Sequence, residues 1–141
     1  MYYTGFEREL IDLFRFIDEH NINNIVFVTP DVHFPLFLKY NFDLNNDGNK
    51  TEIRELISGP LSALRTISLA DASRLGAPFP KLDGSFNPSL LYQEGNIFNF
   101  GYIRIEGGRE NDDNGKLHLI ADIRGEDGVT GPGPRLDLPP K

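Results

Sequence analysis

Asp31 and His33 stand two residues apart in "TPDVHF", directly after the apolar run "NIVFV". Both are metal-ligand types. Carboxylate oxygen suits hard cations such as calcium, and imidazole suits iron or zinc. In a bent loop the two side chains can converge on one cation or on two neighbouring ones. The same spacing also suits an ordinary strand end whose histidine bonds a carbonyl, so spacing alone leaves both readings open.

A second constellation is "DLNNDGNKTEIR". Asp43, Asn45, Asp47 and Gly48 match the first half of a calcium loop, with Asn49 and Thr51 at later ligand positions. The twelfth position, where a helix–loop–helix calcium site needs a bidentate glutamate, is Arg54, and the flanks read as strands. A hairpin turn is the better reading, with weak calcium binding at Asp43, Asn45 and Asp47 as the alternative. The remaining candidates carry less chemistry. His20 sits at a helix end, where it favours the local dipole or is simply solvated. His118 reads as a surface or a satisfied histidine rather than a ligand. Tyr92 and Asn99 read as packing and turn residues. "SGPLS" lacks the spacing of a nucleophile elbow.

The elements that must position these residues follow from periodicity. Phe6, Leu10, Leu13, Phe14 and Ile17 recur at helical spacing and predict a helix over 5–20. Glu7, Glu9, Asp12, Asp18 and Glu19 are expected mostly on its solvated face. Thr4 with Glu7 three residues on makes a capping-box pattern, and Asn21 is the expected stop. The run 25–28 is apolar at every position, which predicts a central strand covered on both faces. "PLFLKYNF" and "TEIRELIS" read as two strands joined in a hairpin by turn-forming residues. "LSALRTISLADASRL" is read as holding a short helix, and "GAPFPKLDGSFNPS" as a long irregular loop. "FNFGYIRIEG" and "KLHLIADIRG" read as two further strands joined by "GRENDDNG". In the second, Leu117, Leu119, Ala121 and Ile123 are expected to face the core, opposite His118, Ile120, Asp122 and Arg124. The expected class is α/β: one N-terminal helix followed by a mixed sheet with β-hairpins.

Composition narrows the partners. A chain of 141 residues suits one domain, and 39% hydrophobic with 25% charged residues reads as globular. A net charge of −7 argues against a general nucleic-acid surface. A bound cation reverses the local sign, so small phosphorylated substrates stay within reach. The apolar runs are too short to span a bilayer, and the start shows no secretory signal. The absence of cysteine excludes disulfides and thiolate metal sites.

Four stretches, "NIVFVTPDVHF", "ELISGPLSA", "NPSLLYQEGNIFNFGYIRI" and "LHLIADIRGEDG", resemble in sequence and order the PhoD-like alkaline phosphatases, a branch of the metallophosphoesterases. The resemblance implies a calcineurin-like sandwich, phosphate-ester hydrolysis by a phosphatase or phosphodiesterase, calcium and iron as metals, and Asp31 and His33 as ligands; full-length members of the family are typically exported, and the compartment of this chain stays open. Two departures stand out. The family has glycine where this chain has Pro30, whose φ is fixed near about −65° and which lacks an N–H donor. The family's earlier motifs, which bring most metal ligands, have no counterpart here. The expectation is therefore a carboxy-terminal portion over 1–128 followed by an extended proline-rich tail over 129–141, inactive alone. The alternative is a non-catalytic module that pairs with a second copy or with a separate amino-terminal half.

Overall fold

The computed structural model describes residues 7–30, 33–62, 88–107, 116–128 and 136–138. The helical spacing becomes α1, Glu7–Glu19. It ends as Asn21 predicts: this residue takes a left-handed φ of 51°. Its amide donates to the Asp18 carbonyl and the Ile22 amide to the Ile17 carbonyl, both at 3.0 Å. That pair of bonds satisfies carbonyls the helix would otherwise leave open. Thr4 lies outside the described residues, as do the expected helix region from residue 63 onward, most of the loop 76–89 and the loop 108–115.

Among the described residues seven strands follow: β1 (Ile25–Thr29), β2 (Leu36–Phe42), β3 (Thr51–Ile57), β4 (Ser89–Gln93), β5 (Asn99–Gly107), β6 (Leu117–Gly125) and β7 (Leu136–Leu138). They form one sheet in the order β1-β3-β2-β4 and a second in the order β5-β6-β7. β1 runs parallel to β3, and the other pairs are antiparallel. The expected β2–β3 hairpin is present, with Leu36 opposite Ile57 and Phe42 opposite Thr51. The α/β class therefore holds. β4 was not read from the sequence, since "SLLYQ" is short and follows a turn-rich stretch. β7 falls within the expected tail and pairs with β6 through Leu119↔Leu138.

Alternation divides the first sheet between two layers. On one face Phe42 and Ile53 pack beneath Phe14 and Ile17 of α1, joined by Ile25, Phe27 and Tyr40. The Phe14 and Phe42 rings stack with centroids 5.2 Å apart. Burying each such ring contributes about 1.5–3 kcal/mol. On the other face Phe37 and Leu56 meet Ala121 and Ile123 of the second sheet. Gly101 permits close approach there, because a Cβ on it would lie 2.9 Å from Ser58 Oγ.

Three expectations need correction. First, among the described strands β1 lies at the sheet edge and pairs only with β3, and Val28 is 56% exposed. Its uniformly apolar run reflects contact on both faces, with Ile25 and Phe27 toward α1 and Val26 toward the second sheet. Second, Asp18 is not solvated but 2% exposed. On a helical wheel of about 100° per residue it sits only about 40° from buried Phe14. The Leu44 and Asn45 amides donate to its Oδ2 at 2.7 and 3.0 Å, and the Thr51 hydroxyl to its Oδ1 at 2.5 Å. Leu13, on the other side of the expected stripe, is exposed. Third, β6 does not divide cleanly. Leu119, Ala121 and Ile123 face the first sheet, but Leu117 is exposed, and the outward Ile120 and Asp122 are buried. Asp122 lies under two guanidinium groups, accepting from Arg104 Nη1 at 3.2 Å and Arg124 Nη2 at 3.4 Å. Arg124 in turn sits 3.7 Å from the centroid of the Tyr102 ring.

Candidate functional site

The parallel β1–β3 pair fixes where a site can form. Their carboxyl ends emerge together, tied by the Ser58 amide donating to the Thr29 carbonyl at 3.2 Å. Beyond them lies a cleft of about 370 Å³. Pro30 and His33 from the β1–β2 connection line one side, the segment 58–61 leaving β3 another, and Asn99 and Phe100 at the start of β5 a third. Ligands of open α/β sheets bind beyond the carboxyl ends of strands in this way.

His33 is half-buried and holds a φ of 68°, a left-handed conformation that few residues other than glycine adopt. Phe34 and Pro35 directly after it are fully buried, so the packed start of β2 anchors the chain leaving the cleft. Asp31 lies outside the described residues, so the structure places one member of the expected pair.

The opposite wall depends on a residue read from the sequence as a turn former. Asn99 is 1% exposed. Its Oδ1 accepts from the Gly59 amide at 2.9 Å, and its Nδ2 donates to the Gly59 carbonyl at 2.8 Å and to the Ile97 carbonyl at 3.3 Å. Its own amide donates to the Pro60 carbonyl at 3.1 Å. The side-chain amide thus pairs with Gly59 as a neighbouring strand would. A glycine followed by a proline directly after the strand is the local sign that could have pointed to a backbone needing such a partner.

A second missed network joins β1, β2 and β3. Glu55 accepts from the Thr29 hydroxyl at 2.7 Å and from the Tyr40 phenol at 2.6 Å. Burial, and then Glu55 itself, push the Tyr40 phenol well above its ordinary range, so it stays a donor. His118 is satisfied as expected, with Nδ1 2.7 Å from Asp137 Oδ1 on β7. Tyr92 packs on Phe37 and donates to Glu94, also as expected of a packing residue.

The loop 43–50 is built from its own side chains. Asp43 accepts from the Asp47 and Gly48 amides at 3.1 and 3.0 Å, Asn45 Oδ1 from the Asp47 amide at 3.0 Å, and Asp47 from the Asn49 amide at 2.7 Å. The bond from Asn49 holds the Asp47 carboxyl below its usual range. These bonds shape the β2–β3 turn.

A family model described as PhoD-like phosphatase matches residues 3–114. This chain belongs to the PhoD-like phosphatase family. The match spans α1, both sides of the cleft and most of the described strands, and ties the chain to phosphatase chemistry. No curated protein and no solved structure matched.

The PhoD-like family implies metal dependence in general. The described residues do not by themselves fit such a centre: among them no three His, Asp or Glu side chains are grouped to hold a metal ion. His33 is the only imidazole or carboxylate among the described residues lining the cleft. No helix among the described residues is long and apolar enough to cross a membrane.

Proposed function

We propose that this chain forms the carboxy-terminal part of a metal-dependent phosphate-ester hydrolase built on a calcineurin-like sandwich. Asp31 and His33 contribute two ligands to a metal centre whose other ligands come from outside the chain. The observation that carries this is His33 at the carboxyl end of a parallel strand pair, held at positive φ in the cleft wall. Backbone strain concentrates at functional positions. When bound, the metals of such a centre activate a water and neutralise phosphoryl oxygens. Two ligands cannot complete a sphere of six to eight oxygens around calcium or four groups around zinc. The chain alone therefore turns over phosphate esters weakly or not at all.

Titrating the chain with Mn²⁺ as a paramagnetic probe tests the pair. The His33 imidazole resonances should broaden before those of His20 and His118. Asp31→Asn and His33→Ala should each lower affinity tenfold or more, while His118→Ala leaves it unchanged. Equal effects of all three would mean the wrong pair was chosen. In a parallel titration, calcium should leave the amides of Asp43, Asn45 and Asp47 unmoved, as the hairpin reading requires.

A second reading, a non-catalytic assembly module, is favoured by apolar residues left in solvent. Val28 on β1, Ile103 and Ile105 on β5, and Leu117 on β6 are 56%, 41%, 62% and 54% exposed. A strand edge with apolar flanks invites pairing with another chain. Under this reading the chain forms a two-fold dimer or pairs with a separate amino-terminal half. Light scattering at micromolar concentration should show a mass above 15.9 kDa for the chain alone or after a partner is added. A monodisperse, cooperatively melting monomer would remove the assembly reading.

A further inference from the structure

We propose that Asn99 is the positioning residue of the His33 cleft, fixing the segment 58–61 as the wall that faces the imidazole. The inference rests on reading that cleft as the functional site. Asn99 is nearly inaccessible, and its side-chain amide bonds both the N–H and the C=O of Gly59, with a longer third bond to the Ile97 carbonyl. A buried amide costs free energy unless each donor and acceptor finds a partner. The reciprocal bonds to Gly59 N–H and C=O meet that need and fix the Gly59 peptide group in orientation. The Asn99 amide adds a third tie to the Pro60 carbonyl. The segment 58–61 therefore has its position set from β5, across the gap between sheets, as well as from β3. A Cβ on Gly101, two residues along the same strand, would lie 2.9 Å from Ser58 Oγ, so β5 comes close to this wall at a second point. Pro30 and His33 line the same cleft as this wall. Loss of Asn99 should free the wall and change what His33 faces, without disturbing the Asp18 junction at the other end of β3.

Amide hydrogen exchange and imidazole NMR read this directly. In Asn99→Ala the Gly59 amide should exchange at least tenfold faster and the His33 imidazole resonances should shift. The Leu44 and Asn45 amides, bonded to Asp18, should keep their wild-type rates. Asn99→Asp retains an acceptor for the Gly59 amide, so its Gly59 protection should return toward wild type, and it serves as the working variant if the alanine form does not fold. Mn²⁺ affinity should fall at least threefold in the folded alanine variant. Unmoved His33 resonances in a folded variant whose Gly59 amide has been freed would overturn the proposal. So would a uniform rise in exchange at both ends of β3, which marks a purely structural role. Should wild-type His33 take no Mn²⁺, the metal-centre reading fails by itself, and the His33 shift alone decides the role of Asn99.

Discussion

Asp18→Ala is expected to cost about 3–5 kcal/mol of folding stability, a large share of the roughly 5–15 kcal/mol that holds a domain together. The substitution strands two backbone N–H groups, of Leu44 and Asn45, and one hydroxyl, of Thr51, around a side chain that is 2% exposed. Each buried donor left unsatisfied costs about 1–3 kcal/mol, partly relieved where water can enter. Asp18→Asn tests the chemistry at nearly constant volume. It can keep one acceptor oxygen but turns an NH₂ group toward donors. It should lie between the wild type and the alanine variant. Thr51→Val, which removes only the hydroxyl donor, should cost about 1 kcal/mol. Chemical denaturation monitored by circular dichroism measures all three. An alanine variant within about 1 kcal/mol of wild type would show that the carboxylate does not organise the α1–hairpin junction.

That junction also marks how far sequence reading reaches. Elements set by local pattern were legible: α1 and its stop at Asn21, the β2–β3 hairpin with its polar turn, and the core-facing side of β6 at Leu119, Ala121 and Ile123. Each depends on residues a few positions apart. Asp18 was not legible, because what buries it is a set of donors more than two dozen residues later in the chain. Local polarity says solvent, whereas the bonds to Leu44, Asn45 and Thr51 say core. Asn99 fails for the same reason, with its partner Gly59 forty residues away. β1 shows the converse. Its run of apolar side chains correctly signalled contact on two faces, but face contacts carry no information about whether both backbone edges are paired. Of the candidate site, the strand end was readable from its apolar run; the aspartate–histidine spacing and the family resemblance singled out His33, which the structure places in the cleft lining. The wall made of residues 58–61 and Asn99 was not, because its form depends on a β5 residue of the second sheet that only tertiary packing brings alongside the end of β3.

Gly107→Ala should be the most damaging single-methyl addition in the described chain, at about 3 kcal/mol or more. Gly107 closes β5 opposite Leu117 and has a φ of 95°, where L side chains are strained by about 1–3 kcal/mol. A Cβ there would also lie 2.1 Å from the Lys116 carbonyl oxygen and 3.2 Å from its carbon. Those are backbone atoms of the returning strand, so no rotamer change removes the clash, and β5 and β6 must separate at that end. Gly101→Ala is the control. Its Cβ would press on the Ser58 hydroxyl at 2.9 Å, a group that can rotate away, so it should cost about 1 kcal/mol or less. The two variants should also differ in where protection is lost. Gly107→Ala should raise amide exchange along β5–β6 and loosen Ala121 and Ile123 against Leu56, while α1 and the β2–β3 hairpin keep theirs. Gly101→Ala should leave both sheets protected and shift only resonances near Ser58, at the wall of the His33 cleft. Equal costs for the two substitutions would mean that the β5–β6 connection yields to a methyl group as easily as a serine side chain does. In that case the close approach at Gly107 would not set the register of the second sheet.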